Sequence, residues 1–327
     1  MTSPEVSVLI PAFNAEETIS ASIWSVLNQS FQNLELLVYL DGCTDQTENI
    51  VRTFDDKRIQ IFSADMNNGI VFSRNFLIQK AKGKYIAWQD ADDISLAGRL
   101  AAQYEFMEVH PHLTILGTWV QVRNSRKVKT VKWPTDPAIL DAWLFFRNPL
   151  VQSSTMVRNY PDKPVYNAEF EYLEDYKFYS EYLGEGRIGI YPEVLCSYLE
   201  DDENSRISKY LKYDFVGKLE NIMRGNFEKL DWLPGKNELS LMRDFLRNSA
   251  VLKPAELKLI WKFLLISLRH NKKINAFDRN AFEAVIYIHI FRLIRKNPAL
   301  IPWGIAFVFK HPLGFFYARK ARVLYKN

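Results

Sequence analysis

The chain has 327 residues, 48% hydrophobic and 24% charged, enough for two domains with a sizeable core and unlike a disordered chain. The net charge of +4 conceals a split. From Leu211 onward there are 22 Lys and Arg against 9 Asp and Glu, whereas the part before it carries 20 basic and 29 acidic residues. Two cysteines, Cys43 and Cys196, exclude a disulfide framework and a zinc cluster.

Residues 6–10 read as a buried strand stopped by Pro11, and 15–29 as a helix with apolar positions Ile19, Ile23, Val26 and Leu27. Strand patterns at 34–40, 58–63 and 84–88 alternate with helical ones at 45–54 and 69–82. Short apolar strands alternating with helices predict right-handed crossovers and a mainly parallel sheet flanked by helices. The rhythm then breaks. A helix over 96–110 leads to a strand over 114–122, a basic loop over 123–132, a helix over 174–183 and a short strand at 188–190. From about residue 209 the pattern is helical, basic and aromatic, so we expect a division into 1–210 and 211–327.

The chemistry concentrates at strand ends. Asp90, Asp92 and Asp93 follow the apolar 84–88 stretch directly, and paired carboxylates suit a hard cation such as Mg²⁺ or Mn²⁺ that also binds phosphate oxygens. Alternation along an extended segment would put Asp90 and Asp92 on one side; Asp93 has the further option of capping a helix starting near Ser95. In parallel sheets ligands sit beyond the carboxyl ends of strands, where Pro11 to Asn14, Asp41-Gly42 and the acidic run all fall. Asp41 can accept from the N–H of a base bordered by Phe13, or simply make an Asp-Gly turn. Arg74 reads either as a phosphate- or base-contacting guanidinium or as a surface helix arginine. Glu174 and Asp175 open a predicted helix, where acidic residues are favoured in any protein but where a general base can also stand.

Taken in order, residues 6–14 (Val-Ser-Val-Leu-Ile-Pro-Ala-Phe-Asn), 40–45 (Leu-Asp-Gly-Cys-Thr-Asp), Asn68-Gly69 with Ser73-Arg74-Asn75, and 83–87 (Gly-Lys-Tyr-Ile-Ala) leading into Asp90-Ala91-Asp92-Asp93 resemble the family 2 glycosyltransferases of GT-A fold. The resemblance covers about residues 5 to 205. It implies an α/β, GT-A-type (Rossmann-like) domain with a mostly helical C-terminal extension, a nucleotide-sugar donor and a divalent metal. Residue by residue, it implies that Pro11, Phe13 and Asn14 line the nucleoside pocket and that Asp41 contacts the base. Arg74 would lie near the nucleotide, and Asp92 would hold the metal together with Asp90, which also reaches the ribose. Asp175 would be the base and Glu174 its neighbour in the acceptor site. This chain departs from the pattern at Cys43 (usually Ser), at Gln152 (often His), and at 198–206, where the usual Arg and His are missing and Arg206 is the available cation.

Gly184-Glu185-Gly186-Arg187-Ile188-Gly189 fits G-x-G-x-x-G but runs from helix to strand, the reverse of a dinucleotide fingerprint. The apolar run 299–309 has 11 residues, with Pro302 and Gly304 inside it, whereas a spanning helix needs about 20. With no signal-peptide pattern visible, the expected place is the cytoplasm, peripheral on the cytoplasmic membrane face. Aromatic residues Trp303, Phe307, Phe309, Phe315, Phe316 and Tyr317 beside Arg319, Lys320 and Arg322 suit an anionic membrane surface; nucleic acid is not expected as a partner. The reading is an inverting, metal-dependent transfer from a nucleotide sugar, favoured as UDP-linked, to a saccharide or lipid-linked saccharide of a surface polysaccharide. Its rivals are a sugar nucleotidyltransferase of the same fold and a non-catalytic nucleotide-sugar-binding module.

Overall fold

Val6, Val8, Ile10 and Ala12 alternate with Ser7, Leu9 and Pro11 along β1 (Val6–Ala12), and both sets are buried, as in a central strand covered on two faces. The computed structural model describes residues 3–124, 127–160, 165–200, 214–247 and 252–310. In it β1 pairs in parallel with β2 (Leu34–Asp41) and with β4 (Tyr85–Trp88), and β2 pairs in parallel with β3 (Ile59–Ala64). The crossovers are α1 (Ile19–Leu27), α2 (Thr47–Arg52) and α3 (Ile70–Lys80). Ile19, Ile23, Val26 and Leu27 of α1 pack with Val6, Val8, Ile10, Leu36 and Val38 in one core cluster, so the helical spacing in the sequence is the buried stripe. On the other face Phe72 and Phe76 of α3 meet Tyr39, with ring centroids 6.1 and 4.8 Å apart.

Past β4 come β5 (Ile94–Ser95), α4 (Arg99–Val109), β6 (Ile115–Arg123), β7 (Val128–Val131), α5 (Pro137–Leu144), β8 (Met156–Arg158), α6 (Glu174–Ser180) and β9 (Ile188–Leu199). Among the described residues the strands form one mixed sheet in the order β3-β2-β1-β4-β8-β6-β9-β5, with β7 on β6. It is parallel from β3 to β4; β8 then enters antiparallel to both β4 and β6.

Three local expectations change. Pro11 does not end β1: pairing with β4 stops at Leu9, so Pro11 has only β2 beside it and the strand tolerates its missing N–H. The basic loop expected at 123–132 contains β7, which forms a hairpin with the end of β6. The strand at 188–190 continues to Leu199, because Pro192 and Glu193 fall in a register shift: Tyr191 faces Thr118, but Val194 faces the next residue, Trp119.

The chain falls into two compact units interleaved in sequence, residues 1–132, 150–178 and 187–213 in one, and 133–149, 179–186 and 214–327 in the other. The division expected near residue 210 lies in the undescribed stretch 201–213. The second unit is helical. Asp136 caps α5 through the N–H groups of Ala138 and Ile139, with Pro137 in the first turn. Phe145 lies against Phe227, Phe277 and Phe282, with centroids 4.6, 5.4 and 5.5 Å away. Leu257, Ile260, Trp261, Leu264 and Leu268 form the buried stripe of the helix Pro254–Ile274, so the apolar residues of that helical, basic stretch are core.

Candidate active site

Gly42 ends β2 at φ +66°, and a Cβ there would lie 2.3 Å from the Met66 carbonyl carbon and 2.4 Å from the Asn67 nitrogen. Only a glycine lets these backbones approach. The approach brings the N–H groups of Asn68 and Gly69 onto the Asp41 carboxylate, at 2.8 Å to Oδ1 and 3.0 Å to Oδ2. Asp41 is 3% exposed and thus clasps the loop that opens α3. Gly42→Ala is expected to cost about 2–5 kcal/mol, from a left-handed alanine and backbone overlap, read as a lower denaturant midpoint.

The neighbouring loop is tied in the same way. Asn14, at φ +46°, accepts from the Thr44 N–H at 2.9 Å and donates to the Thr44 hydroxyl at 3.2 Å. Phe13 is 48% exposed between the buried Ala12 and the exposed Asn14, an aromatic face offered to solvent at a strand end. The Cys43 thiol donates to the Ala12 carbonyl, and burial pushes its pKa up, which fits a packing residue and not a nucleophile.

The acidic run is a turn, not an extended segment: the Asp93 N–H donates to the Asp90 carbonyl at 3.2 Å, so alternation does not set the directions of Asp90 and Asp92. A buried network fixes this turn. Ser22 Oγ donates to the Asp90 carbonyl, Ser153 Oγ accepts from the Asp90 N–H, and Gln89 Nε2 donates to the Asp93 carbonyl at 2.6 Å. Arg99, fully buried, braces Gln89 and Ser95 with Nη1, the Trp88 and Thr155 carbonyls with Nη2, and Gln103 with Nε. Arg123 donates to the Asp92 carbonyl at 2.5 Å. Asp93 caps no helix, since α4 starts only at Arg99; its Oδ1 accepts from the Leu199 N–H at 2.7 Å, and burial, then Asp90 and Asp92, push its pKa well up.

Arg74 is the side chain that joins the pieces. It is 5% exposed, so the surface-arginine reading fails. Nη1 donates to Glu174 Oε1 and Nη2 to Asp90 Oδ1 at 3.2 Å, while the guanidinium carbon lies 5.7 Å from the Trp88 ring and 5.6 Å from the Tyr166 ring. Burial works against its charge, but Glu174 and Asp90 outweigh that and raise its pKa. Glu174 is pushed above its ordinary value by burial, with Arg74 opposing. Asp175 keeps an exposed edge yet is densely surrounded by protein; burial and then Glu174 push it up to about 7, again against Arg74.

Sequence reasoning missed Tyr166. Its ring stacks on Phe178 of α6 at 4.7 Å and meets Trp88 edge-on at 5.5 Å, and its hydroxyl accepts from Gln152 Nε2 at 2.6 Å. Asn75 donates to its carbonyl and accepts from its N–H, both at 2.9 Å. Gln152 therefore holds the ring on which Arg74 rests. An aromatic residue in an aperiodic stretch carries no pattern that would have flagged it. A cleft of about 430 Å³ runs beside α3, lined by Asn68, Phe72, Phe76, Gln79 and Glu171 among others; none of Asp90, Asp92 or Asp175 lines it.

Among the described residues no group of three or more His, Cys, Asp or Glu forms a self-sufficient metal cage. Asp90, partly exposed, and Asp92, half-buried, instead offer hard oxygen donors on a braced turn. That donor set fits a Mg²⁺ or Mn²⁺ ion whose other ligands are phosphate oxygens and water. Arg206 lies outside the described residues.

The pattern of Glycosyl transferase family 2 matches residues 7–168. An uncharacterized glycosyltransferase of Haemophilus influenzae is 32% identical over 239 residues, covering 67% of this chain and 73% of that protein. The Escherichia coli UDP-Glc:alpha-D-GlcNAc-diphosphoundecaprenol beta-1,3-glucosyltransferase WfgD is 43% identical over 120 residues, covering 37% of this chain but only 47% of WfgD. Among solved structures, S. aureus TarS 1-349 in complex with UDP-GlcNAc shares the fold at a TM-score of 0.60 and 20% identity, covering 89% of each chain. The mannosyltransferase PcManGT from Pyrobaculum calidifontis, in complex with GDP-Man and Mn²⁺, does so at 0.53 and 15%, covering 97% of this chain and 88% of its own. The chain belongs to the family 2 glycosyltransferases and carries their enzyme fold, GT-A.

Proposed function

We propose that this glycosyltransferase moves a hexosyl group from a UDP-sugar to a lipid-linked saccharide, inverting the anomeric carbon, with Mg²⁺ or Mn²⁺ at Asp92 and Asp90. The observation that carries the reading is the Arg74 bridge: one buried guanidinium ties Asp90 of the acidic turn to Glu174, the residue before Asp175. In the reaction Asp175 takes the proton of the acceptor hydroxyl while that oxygen bonds to the anomeric carbon, and the bond from that carbon to the diphosphate oxygen breaks. A carboxylate poised near pH 7 is matched to that proton transfer. A cation held by Asp92 and Asp90 would supply charge stabilisation for the departing diphosphate. Glu174 borders the acceptor, and Pro11, Phe13 and Asn14 border the nucleoside. Asp41 Oδ1 accepts from the backbone N–H and the side-chain amide of Asn68, and Oδ2 from the Gly69 N–H alone, so Oδ2 keeps acceptor capacity for the base.

The fold does not choose the nucleotide, since TarS and PcManGT share it with UDP-GlcNAc and GDP-Man respectively. The UDP and lipid-linked readings rest on WfgD and on WfaP of Escherichia coli, which is 36% identical over 103 residues and carries the same UDP-Glc:alpha-D-GlcNAc-diphosphoundecaprenol beta-1,3-glucosyltransferase name. A lipid-linked acceptor would place the work at the cytoplasmic membrane face, in the synthesis of a surface polysaccharide. A nucleotidyltransferase is disfavoured because β1 ends in Pro11-Ala12 and opens into Phe13-Asn14, not into a glycine-rich basic loop. The test is thermal shift and UDP release with a panel of UDP-sugars, with and without Mn²⁺. Wild type is expected to be stabilised in a Mn²⁺-dependent way, and Asp92→Asn to weaken that binding by about 10–100-fold. A wild-type chain that neither binds nor cleaves any UDP-sugar would sink the reading.

A further inference from the structure

The helix Ile301–Lys310 is the most apolar helix of the second unit, yet it shows most of its surface to solvent. Ile301 is 47% exposed, Trp303 46%, Ile305 53% and Phe309 80%. Gly304 and Phe307 form its buried seam. A Cβ on Gly304 would stand 2.3 Å from Ile294 Cδ1, so the helix lies directly on its predecessor, Arg279–Lys296. Phe307 fills the remaining contact, with its centroid 4.7 Å from Tyr287 and 6.2 Å from Trp261. This seating fixes the helix by one narrow stripe and turns the other apolar side chains outward. Ile301, Ile305 and Phe309 recur every four residues and so share one exposed apolar stripe, while Trp303 stands on another side of the helix against Trp261.

Charge identifies the occupant. Between Lys296 and Lys310 no residue is charged; Arg295, Lys296 and Lys310, all exposed, bracket the apolar stretch. Exposed Lys258 and Lys262 lie within one turn of Trp261, whose ring meets Trp303 at 5.9 Å. Beyond the described residues the sequence continues with Phe315, Phe316 and Tyr317, then Arg319, Lys320 and Arg322. An apolar stripe beside a tryptophan, bracketed along the chain by cations, matches the headgroup layer of an anionic bilayer. Ten residues make about 15 Å of helix, half of what a span requires, and no described helix is long and apolar enough to cross a membrane.

We propose that the helix Ile301–Lys310 is an interfacial anchor that lies in the plane of an anionic lipid surface with the stripe of Ile301, Ile305 and Phe309 immersed. It deepens the lipid-linked acceptor reading, but its test does not depend on transfer. The full chain is floated with vesicles of phosphatidylglycerol and phosphatidylcholine, or of phosphatidylcholine alone, at low and high salt. Wild type is expected to float with the anionic vesicles, less so in high salt, and Phe309→Glu to reduce flotation at least about tenfold. Leu233→Glu, at another exposed apolar position, is expected to float like wild type. UDP-sugar cleavage in solution is expected to be equal in all three proteins; loss of cleavage in all would count against the enzyme reading and leave the anchor intact. Equal flotation of wild type and Phe309→Glu overturns the proposal. So does a wild-type dimer in sedimentation that Phe309→Glu abolishes, because the face would then be covered by a second copy.

Discussion

Asp175→Asn is expected to lower transfer about 10²–10⁴-fold while UDP-sugar binding with Mn²⁺ changes by no more than about twofold. The amide keeps the shape and removes the proton acceptor. The pH profile gives the independent check. The active form is the carboxylate, so wild-type kcat/KM rises with pH through about 7 and is lost as pH falls below it. The sign follows from the direction of the shift: burial and the Glu174 charge disfavour ionisation, so the proton is held to higher pH than on an ordinary aspartate. In Asp175→Asn the residual rate is expected to be flat across that window. A variant that keeps both its rate and the limb near pH 7 would refute the base assignment, whatever happened to binding.

The parts of this site that were legible in the sequence are those with a period or a local motif. Val6, Val8 and Ile10 with Ile19, Ile23 and Val26 announced a buried strand and its covering helix, and the same residues form the core. Asp41-Gly42 and the 90–93 run stood at strand ends, where parallel topology gathers ligands. Arg74 was ambiguous because α3 carries buried Val71, Ser73, Arg74, Leu77 and Ile78, a set with no clean apolar stripe. Its burial is decided by partners 16 and 100 residues away, Asp90 and Glu174, which no local window contains. Tyr166 was invisible for the same reason. β7 was hidden because a short edge strand carrying Lys129 is read by composition as loop, and β9 because Pro192 interrupts a strand that a register shift repairs.

Arg74→Met is expected to have the second large effect, on stability and on the pH limb together. Removing one partner of a buried pair leaves Glu174 and Asp90 without their cation, and such losses cost about 3–5 kcal/mol. The double variant Arg74→Met/Glu174→Leu removes the uncompensated carboxylate as well, so part of that loss is expected to return, a coupling read from denaturant midpoints of the four proteins of the cycle. The functional consequence has a definite sign. Arg74, ahead of the Tyr176 N–H, lowers the Asp175 pKa against burial and Glu174; without it the limb is expected to move above about 7, so more of the enzyme is protonated and idle at neutral pH. A merely structural arginine would lower the denaturation midpoint and leave the limb of the surviving folded enzyme where it was. If the limb stays near 7 in Arg74→Met, the arginine does not act on the base, and the bridge from the acidic turn to α6 is only a brace.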